Sequence, residues 1–361
     1  MTTQPERIGI GVIGGGYMGK AHAVALHSVG AQFETSLRPR LVAVCGASPA
    51  SGARHARRLG FEEAAQDWRA VVDHPEVEAV TIASPPETHR EIALAAFERG
   101  LHVFCEKPLG TGVEDGEAML GAARRAGTVH MMGFNYVRTP ATQFARQLIE
   151  GGRIGRPIWC RAEHVEDFGA PGTAPTWRTA GQANGTMGDL APHPVNLIRA
   201  LMGDVTEVCA VVETVTEASN DDQAQMMLRF EGGAMGHLFA SRAGWGRKMG
   251  YAYEVHGTEG AIRFDQEDQN ALWLFTREGP EAEQGFRKIL AGPLHPDYLA
   301  FCQGPAHGTG YQDQIVIEMK DWLAAIEVGG PRWPSFEEGL AVSRTIAAAR
   351  RSSASRRWEA V

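Results

Sequence analysis

Val12-Ile13-Gly14-Gly15-Gly16-Tyr17-Met18-Gly19 lies between a short apolar run, Ile8–Ile13, and an alanine-rich stretch that begins at Met18. A glycine-spaced turn directly after a strand and before a helix has a physical use. Gly14 permits the tight turn, Gly16 lets backbone approach a pyrophosphate, and Gly19 lets helix and strand pack closely. The spacing alone also fits an ordinary glycine-rich turn. Its strand–loop–helix context favours the dinucleotide reading.

Working outward, Leu41–Cys45, Ala79–Ala83, Leu101–Cys105 and Thr128–Met132 are further apolar runs of strand length. Between them lie the Ala-, Glu- and Arg-rich stretches Met18–Ser28, Ser51–Leu59, Thr88–Arg99 and Val113–Arg125. Apolar runs alternating with helical stretches predict parallel β-α-β units with both faces covered, a doubly wound sheet. After Thr139-Pro140 the pattern changes to one helix, Ala141–Glu150, and then to longer strand candidates: Ile158–Val165, Val205–Val215, Gln223–Phe230 and Ala234–Ser241. These follow one another with few helices between, and Glu231-Gly232-Gly233 reads as a hairpin turn. The expected fold is α/β. Residues 1–138 form the doubly wound domain, and residues 139–361 form an α+β domain with a large, open, mostly antiparallel sheet.

The 361 residues suffice for two such cores. A net charge of −8 without a concentrated Lys/Arg stripe disfavours nucleic acid and anionic membranes as partners. No apolar run approaches a membrane span, and Ile8–Ile13 is too short and glycine-rich for a signal segment. Five scattered cysteines without a C-x-x-C pair argue against a disulfide framework or thiolate zinc site, so a reducing, cytoplasmic setting is expected. The arginines near 350–357 read as the end of a solvated helix.

Three further segments carry chemistry. Ala83-Ser84-Pro85-Pro86-Glu87-Thr88-His89 follows an apolar run at the sheet edge where dinucleotides lie, so Ser84, Pro85 and His89 are cofactor candidates; the same residues would also start the next helix. Cys105-Glu106-Lys107-Pro108 ends the run Leu101–Cys105, which places a lysine over the cofactor site. Gly185-Thr186-Met187-Gly188-Asp189-Leu190-Ala191-Pro192-His193 opens a helical stretch running to Met202, so Asp189 and His193 converge at i,i+4 if the helix is continuous. Pro192 and Pro194 disturb that continuity. A helix cap at Asp189 with a buried structural His193 is the competing reading. No H-E-x-x-H or third ligand accompanies the pair, so no metal is expected.

The glycine loop, Glu106-Lys107-Pro108, Gly133-Phe134-Asn135-Tyr136 and the Asp189/His193 pair occur in the order and spacing of the Gfo/Idh/MocA oxidoreductases, which the chain resembles over nearly its whole length. The resemblance implies a Rossmann domain whose cofactor is held by Gly14, Gly16, Tyr17, Met18, Gly19, Ser48, Ser84, Pro85, His89, Glu106, Lys107 and Asn135. It makes Lys107 catalytic, His193 the general base, and Asp189 its orienting partner or a substrate ligand. Thr176-Trp177-Arg178 and Asn135-Tyr136-x-Arg138 resemble segments of the inositol and levoglucosan dehydrogenase branch. There Trp177 and Arg178 would bound the nicotinamide pocket, and Tyr136, Arg138 and Arg178 would meet a polyol, with Asp167 a further candidate.

The implied function is NAD(P)-dependent oxidation of a secondary hydroxyl of a cyclic polyol, anhydrosugar or glycoside, or reduction of the matching ketone. Alternatives on the same fold are oxidation-assisted glycoside cleavage and a non-catalytic dinucleotide-binding regulator. The acid that usually ends the second strand is replaced by Cys45-Gly46-Ala47-Ser48, which leaves NAD against NADP open. An uncovered sheet predicts a homodimer or homotetramer through the second domain.

Overall fold

The first strand, β1 (Glu6–Ile13), is buried from Ile8 onward on both faces, the condition of a central parallel strand. In the computed structural model, which describes residues 6–174, 184–330 and 332–361, it is flanked by β2 (Leu37–Cys45) and β4 (Ala79–Ile82). With β3 (Glu63–Ala64), β5 (His102–Glu106) and β6 (His130–Gly133), the order is β3-β2-β1-β4-β5-β6, and every pairing is parallel. The crossovers are α1 (Tyr17–Gln32), α2 (Pro49–Leu59), α3 (Trp68–Val72), α4 (Pro86–Glu98) and α5 (Val113–Ala126). Such connections put helices on both faces of the sheet and its strand ends along one edge.

The chain divides into two compact units, 1–138 with 310–340, and 139–309 with 341–361. The sequence reading placed one break at 138/139, whereas residues 310–340 pack with the first unit. The helix Tyr311–Val328 explains the difference. Gln312 Nε2 donates to the Ala21 carbonyl of α1 at 2.9 Å, and Trp322, fully buried, lies against Phe104 of β5 with ring centroids 5.7 Å apart. Nothing in the local pattern of an amphipathic helix states which core will receive it.

In the second unit, α6 (Pro140–Glu150), α7 (Thr186–Asp189) and α8 (Pro192–Met202) accompany a nine-stranded sheet. Its strands are β7 (Pro157–Val165), β8 (Val205–Glu213), β9 (Gln223–Phe230), β10 (Met235–Ser241), β11 (Gly250–Gly257), β12 (Gly260–Asp265), β13 (Ala271–Thr276), β14 (Arg287–Leu290) and β15 (Glu359–Ala360). They run in the order β14-β13-β12-β11-β7-β10-β9-β8-β15, antiparallel except for β7 with β10. Along β9, buried and exposed residues alternate strictly after Gln223, which is the signature of a sheet with one covered face. Trp159, Met227 and Met235 stand on the exposed one. Of the arginines expected to end a solvated helix, Arg351, Arg356 and Arg357 are exposed at the end of the helix Phe336–Ser355 or just beyond it, whereas Arg350 pairs with Asp221 at 2.9 Å. Among the described residues, no helix is long and apolar enough to cross a membrane.

Candidate active site

In the first unit, the ends of β1, β4 and β5 converge at the glycine loop. Gly14 has φ of +104°, and a Cβ there would lie 2.5 Å from the Ala83 carbonyl oxygen and 2.8 Å from the Ser84 nitrogen, so only glycine fits. A Cβ on Gly19 would overlap the Gly14 carbonyl oxygen, which explains the close helix–strand packing. Gly16 differs: a Cβ there would meet nothing within 4 Å. That combination of a pinned turn and an open middle position at the start of a 16-residue helix fits a pyrophosphate bound against backbone N–H groups.

His89, expected as a cofactor ligand, is fully buried, with Nε2 2.9 Å from the Ser84 carbonyl and Nδ1 2.9 Å from the Pro108 carbonyl. It therefore clips the loop after β4 to the loop after β5 and holds Lys107 by its neighbour. Burial pulls the His89 pKa down, against the two carbonyls and the charges of Glu106 and Glu87. Lys107 is half-buried, and its peptide bond to Pro108 is cis. Glu106 turns inward to His22 at 3.0 Å, so it supports the loop from below. Ser48, also expected at the cofactor, uses its hydroxyl to cap α2 by accepting from Ser51 N at 3.3 Å.

Asn135, Tyr136 and Arg138 form a 3-10 turn after β6. Asn135 Nδ2 donates to Gln314 at 2.9 Å, and Tyr136 lies 6.0 Å from Tyr311 between ring centroids. Tyr311 also approaches Tyr17 and, through its hydroxyl, Met18 Sδ at 3.5 Å, so it brackets the start of α1. Burial raises its pKa and keeps it a neutral hydroxyl. Arg138 departs from its expected substrate role: its guanidinium is buried and spent on Asp321 at 2.7 Å and the Trp333 carbonyl at 3.1 Å.

In the second unit, Asp189 closes α7 and His193 sits in the first turn of α8, so the expected continuous helix is broken at Leu190-Ala191. The reason is Pro192: it lacks an N–H, and its fixed φ suits the first position of a new helix. Pro194 follows inside the same first turn, where donors have no intrahelical partner, and costs nothing further.

Behind His193 stands a residue that the sequence reading passed over. His164, on the covered face of β7, lies 5.6 Å from His193 between ring centroids, edge to face. Its Nε2 is 2.9 Å from Glu166 Oε1, and its Nδ1 is 3.2 Å from the Leu190 carbonyl in the break. Its signal was available as an inward-facing histidine two residues after Ala162 and four after Cys160. Asp221 was also missed. Its Oδ2 accepts from Met187 N at 2.7 Å, its carbonyl from Thr186 N at 2.8 Å, and its Oδ1 from Arg350 at 2.9 Å, so it holds the start of α7. Buried Arg242 donates to Asn184 O at 3.2 Å and to Asn220 Oδ1. Its pKa is lowered by burial, against the pull of Asp222, Asp221 and Asp189, so a cation faces the acid that α7 carries.

Asp167, a substrate candidate, is committed instead to Lys248 Nζ at 2.5 Å and Gly246 N at 3.3 Å. The Lys248 hydrogen bond lowers its pKa. Trp177 and Arg178 lie outside the described residues. Among the described residues no group of histidine, cysteine or acidic side chains could hold a metal.

A parallel sheet in this order, opening on this loop and carrying a lysine at the end of β5, defines an NAD(P)-binding enzyme of the oxidoreductase class. Comparison with known proteins agrees: residues 8–134 match the model of an oxidoreductase family with an NAD-binding Rossmann fold, and residues 142–263 match the Gfo/Idh/MocA C-terminal domain. The chain belongs to the Gfo/Idh/MocA oxidoreductase family. It is 35% identical to levoglucosan dehydrogenase of Pseudarthrobacter phenanthrenivorans over 98% of each chain, and 28% identical to inositol 2-dehydrogenase of Rhizobium meliloti over 96% of this chain and 97% of that one. A solved levoglucosan dehydrogenase in complex with NADH and levoglucosan superimposes with a TM-score of 0.95 at 37% identity, covering 99% of this chain and all of that one.

Proposed function

We propose that this protein oxidises a secondary hydroxyl of a cyclic polyol or anhydrosugar with NAD(P), or reduces the matching ketone. The observation that carries the reading is the buried His193 backed by His164 and Glu166, in a chain whose likeness to sugar and polyol dehydrogenases runs from end to end. The nicotinamide supplies the hydride chemistry when bound. His193 takes the hydroxyl proton, and Asp189 keeps its ring and the substrate in register. Lys107, at the end of β5, polarises the reacting oxygen as an N–H donor. Glu166 suits His164 as an acceptor that fixes its tautomer, which in turn fixes the ring against His193.

The exposed face of the nine-stranded sheet supports a homodimer or homotetramer. It holds a hollow of about 590 Å³ in which Arg161, His237 and Trp273 mix with acids, a surface suited to a second copy. The five cysteines are free thiols, which supports a cytoplasmic setting.

The test is turnover of inositols, anhydrosugars and glycosides, followed by NAD(P)H absorbance, with NADH binding measured separately. Lys107→Ala and His193→Ala should each lower kcat by roughly two to four orders of magnitude while NADH still binds. Near-normal rates in either variant refute the assignment. Sugar release without net NAD(P)H, or dinucleotide binding with no turnover of any substrate, would replace it with glycoside cleavage or a regulator.

A further inference from the structure

In dinucleotide folds of this order, the end of the second strand presents an acid to the hydroxyls of the adenosine ribose. Here β2 ends at Cys45, followed by Gly46-Ala47-Ser48. Burial pushes the Cys45 thiol up to about 11, so it brings no charge. Position 46 is closed to any side chain. A Cβ there would overlap Ser51 Oγ and lie 3.0 Å from Gly52 N, and Ser51 Oγ cannot retreat, since it accepts from Ser48 N at 3.0 Å and donates to the Ser48 carbonyl at 2.8 Å. The Ser48 hydroxyl is spent on the same cap.

What stands at the loop instead is an imidazole. A Cβ on Gly15 would lie 2.5 Å from His55 Nε2 and 2.6 Å from its Cγ, so the half-buried ring lies against the backbone of the glycine loop. Gly15, which the dinucleotide spacing leaves unrestricted, is therefore required by His55. Ser51, Arg54 and His55 share one face of α2 at i, i+3 and i+4. That face meets Gly46 through Ser51 and Gly15 through His55. Arg54 on it is exposed and in no ion pair among the described residues.

We propose that His55 meets the adenosine ribose in place of the missing acid, with Arg54 beside it, and that the site accepts a 2′-phosphate, binding NADPH at least as tightly as NADH. This rests on the oxidoreductase reading above. A carboxylate repels a 2′-phosphate and accepts from a 2′-hydroxyl. An imidazole donates to either, and a neighbouring guanidinium adds a charge that only the phosphorylated cofactor uses.

The experiment is direct titration of the full-length protein with NADPH and NADH, read by cofactor fluorescence, for the wild type and for Arg54→Ala, His55→Ala and His55→Glu. The wild type should bind NADPH at least as tightly as NADH. His55→Ala should weaken NADPH about tenfold more than NADH, and Arg54→Ala should weaken NADPH alone by roughly the same factor. His55→Glu should restore the acid, keeping NADH within a few-fold of its original Kd while NADPH weakens by about a hundredfold. Retained NADH binding shows that each variant is folded. A wild type that prefers NADH by more than tenfold, or a His55→Glu that shifts both cofactors alike, overturns the proposal. A wild type that binds neither dinucleotide overturns the oxidoreductase reading itself.

Discussion

Gly16→Ala separates a cradle for the cofactor from a merely tight turn. The perturbation is one methyl group, and at Gly16 it would find no protein atom within 4 Å, with φ at −70°, a value open to alanine. Alanine is a poorer helix cap than glycine, so folding should lose no more than about 1 kcal/mol. If a pyrophosphate lies on that backbone, the methyl instead meets the ligand. Overpacking of a fitted contact costs about 1–3 kcal/mol, which converts to a Kd for NADH weaker by roughly 5- to 150-fold. Gly19→Ala is the counterpart, because its methyl would overlap the Gly14 carbonyl oxygen and lie 2.8 Å from that carbonyl carbon, forcing the loop off Cys45 O, to which Gly14 N now donates at 3.2 Å. That variant should lose both stability and cofactor. Thermal melting and NADH titration on the two proteins form the assay. A Gly16→Ala that binds NADH like the wild type, or that unfolds as readily as Gly19→Ala, would refute the reasoning.

Asp221→Ala should leave the buried Met187 N–H without its acceptor, costing about 1–3 kcal/mol, and let α7 shift so that kcat falls at least about tenfold with NADH affinity unchanged. Arg350→Ala, which removes a partly exposed pair, should cost under about 1 kcal/mol; equal effects from the two would contradict the role given to Asp221. Glu318 is fully buried, and burial, then the charge of Glu106, holds its carboxyl well above the usual range against the pull of Arg138. Its folded pKa being the higher one, stability falls as pH rises from about 4.3 toward that value, so the advantage of Glu318→Gln should grow with pH in denaturant titrations; parallel pH curves would count against it. His89, His102 and His130 are all lowered by burial, so the unfolded chain takes up protons first and stability should fall as pH drops below about 6.5. Melts that stay flat from about pH 7 to pH 5 would exclude that linkage.

The first unit was legible because its rules are local. A glycine loop, strand-length apolar runs and intervening helical stretches each state their own conformation, and the right-handed crossover leaves few ways to assemble them. Boundaries fixed by distant partners were not legible. Arg138 looks like a polar residue in a site motif, yet its partner Asp321 arrives on a helix late in the chain, and the sequence near 138 carries no trace of it. Asp167 and His89 misled in the same way. Both are polar residues next to functional segments, and both are consumed in holding those segments in shape.

The support behind His193 shows why chemistry was easier to read than its scaffold. His164, Ala240 and Ala224 stand side by side across β7, β10 and β9, so residues just beyond those positions, Glu166, Arg242 and Asp222, emerge at one end of the sheet. Glu166 and Arg242 arrive together because β7 and β10 run parallel, unlike every other pair described in that sheet. Were the two antiparallel, the end of β10 would carry Arg242 to the opposite edge, away from Asn220 and the start of α7. A slip of one residue along β7 would turn His164 to the exposed face and bring Glu163 or Val165 inward. The proposed general base was therefore visible as a histidine in a motif. The histidine, acid and arginine that hold its surroundings depend on a strand order and register that no segment specifies alone.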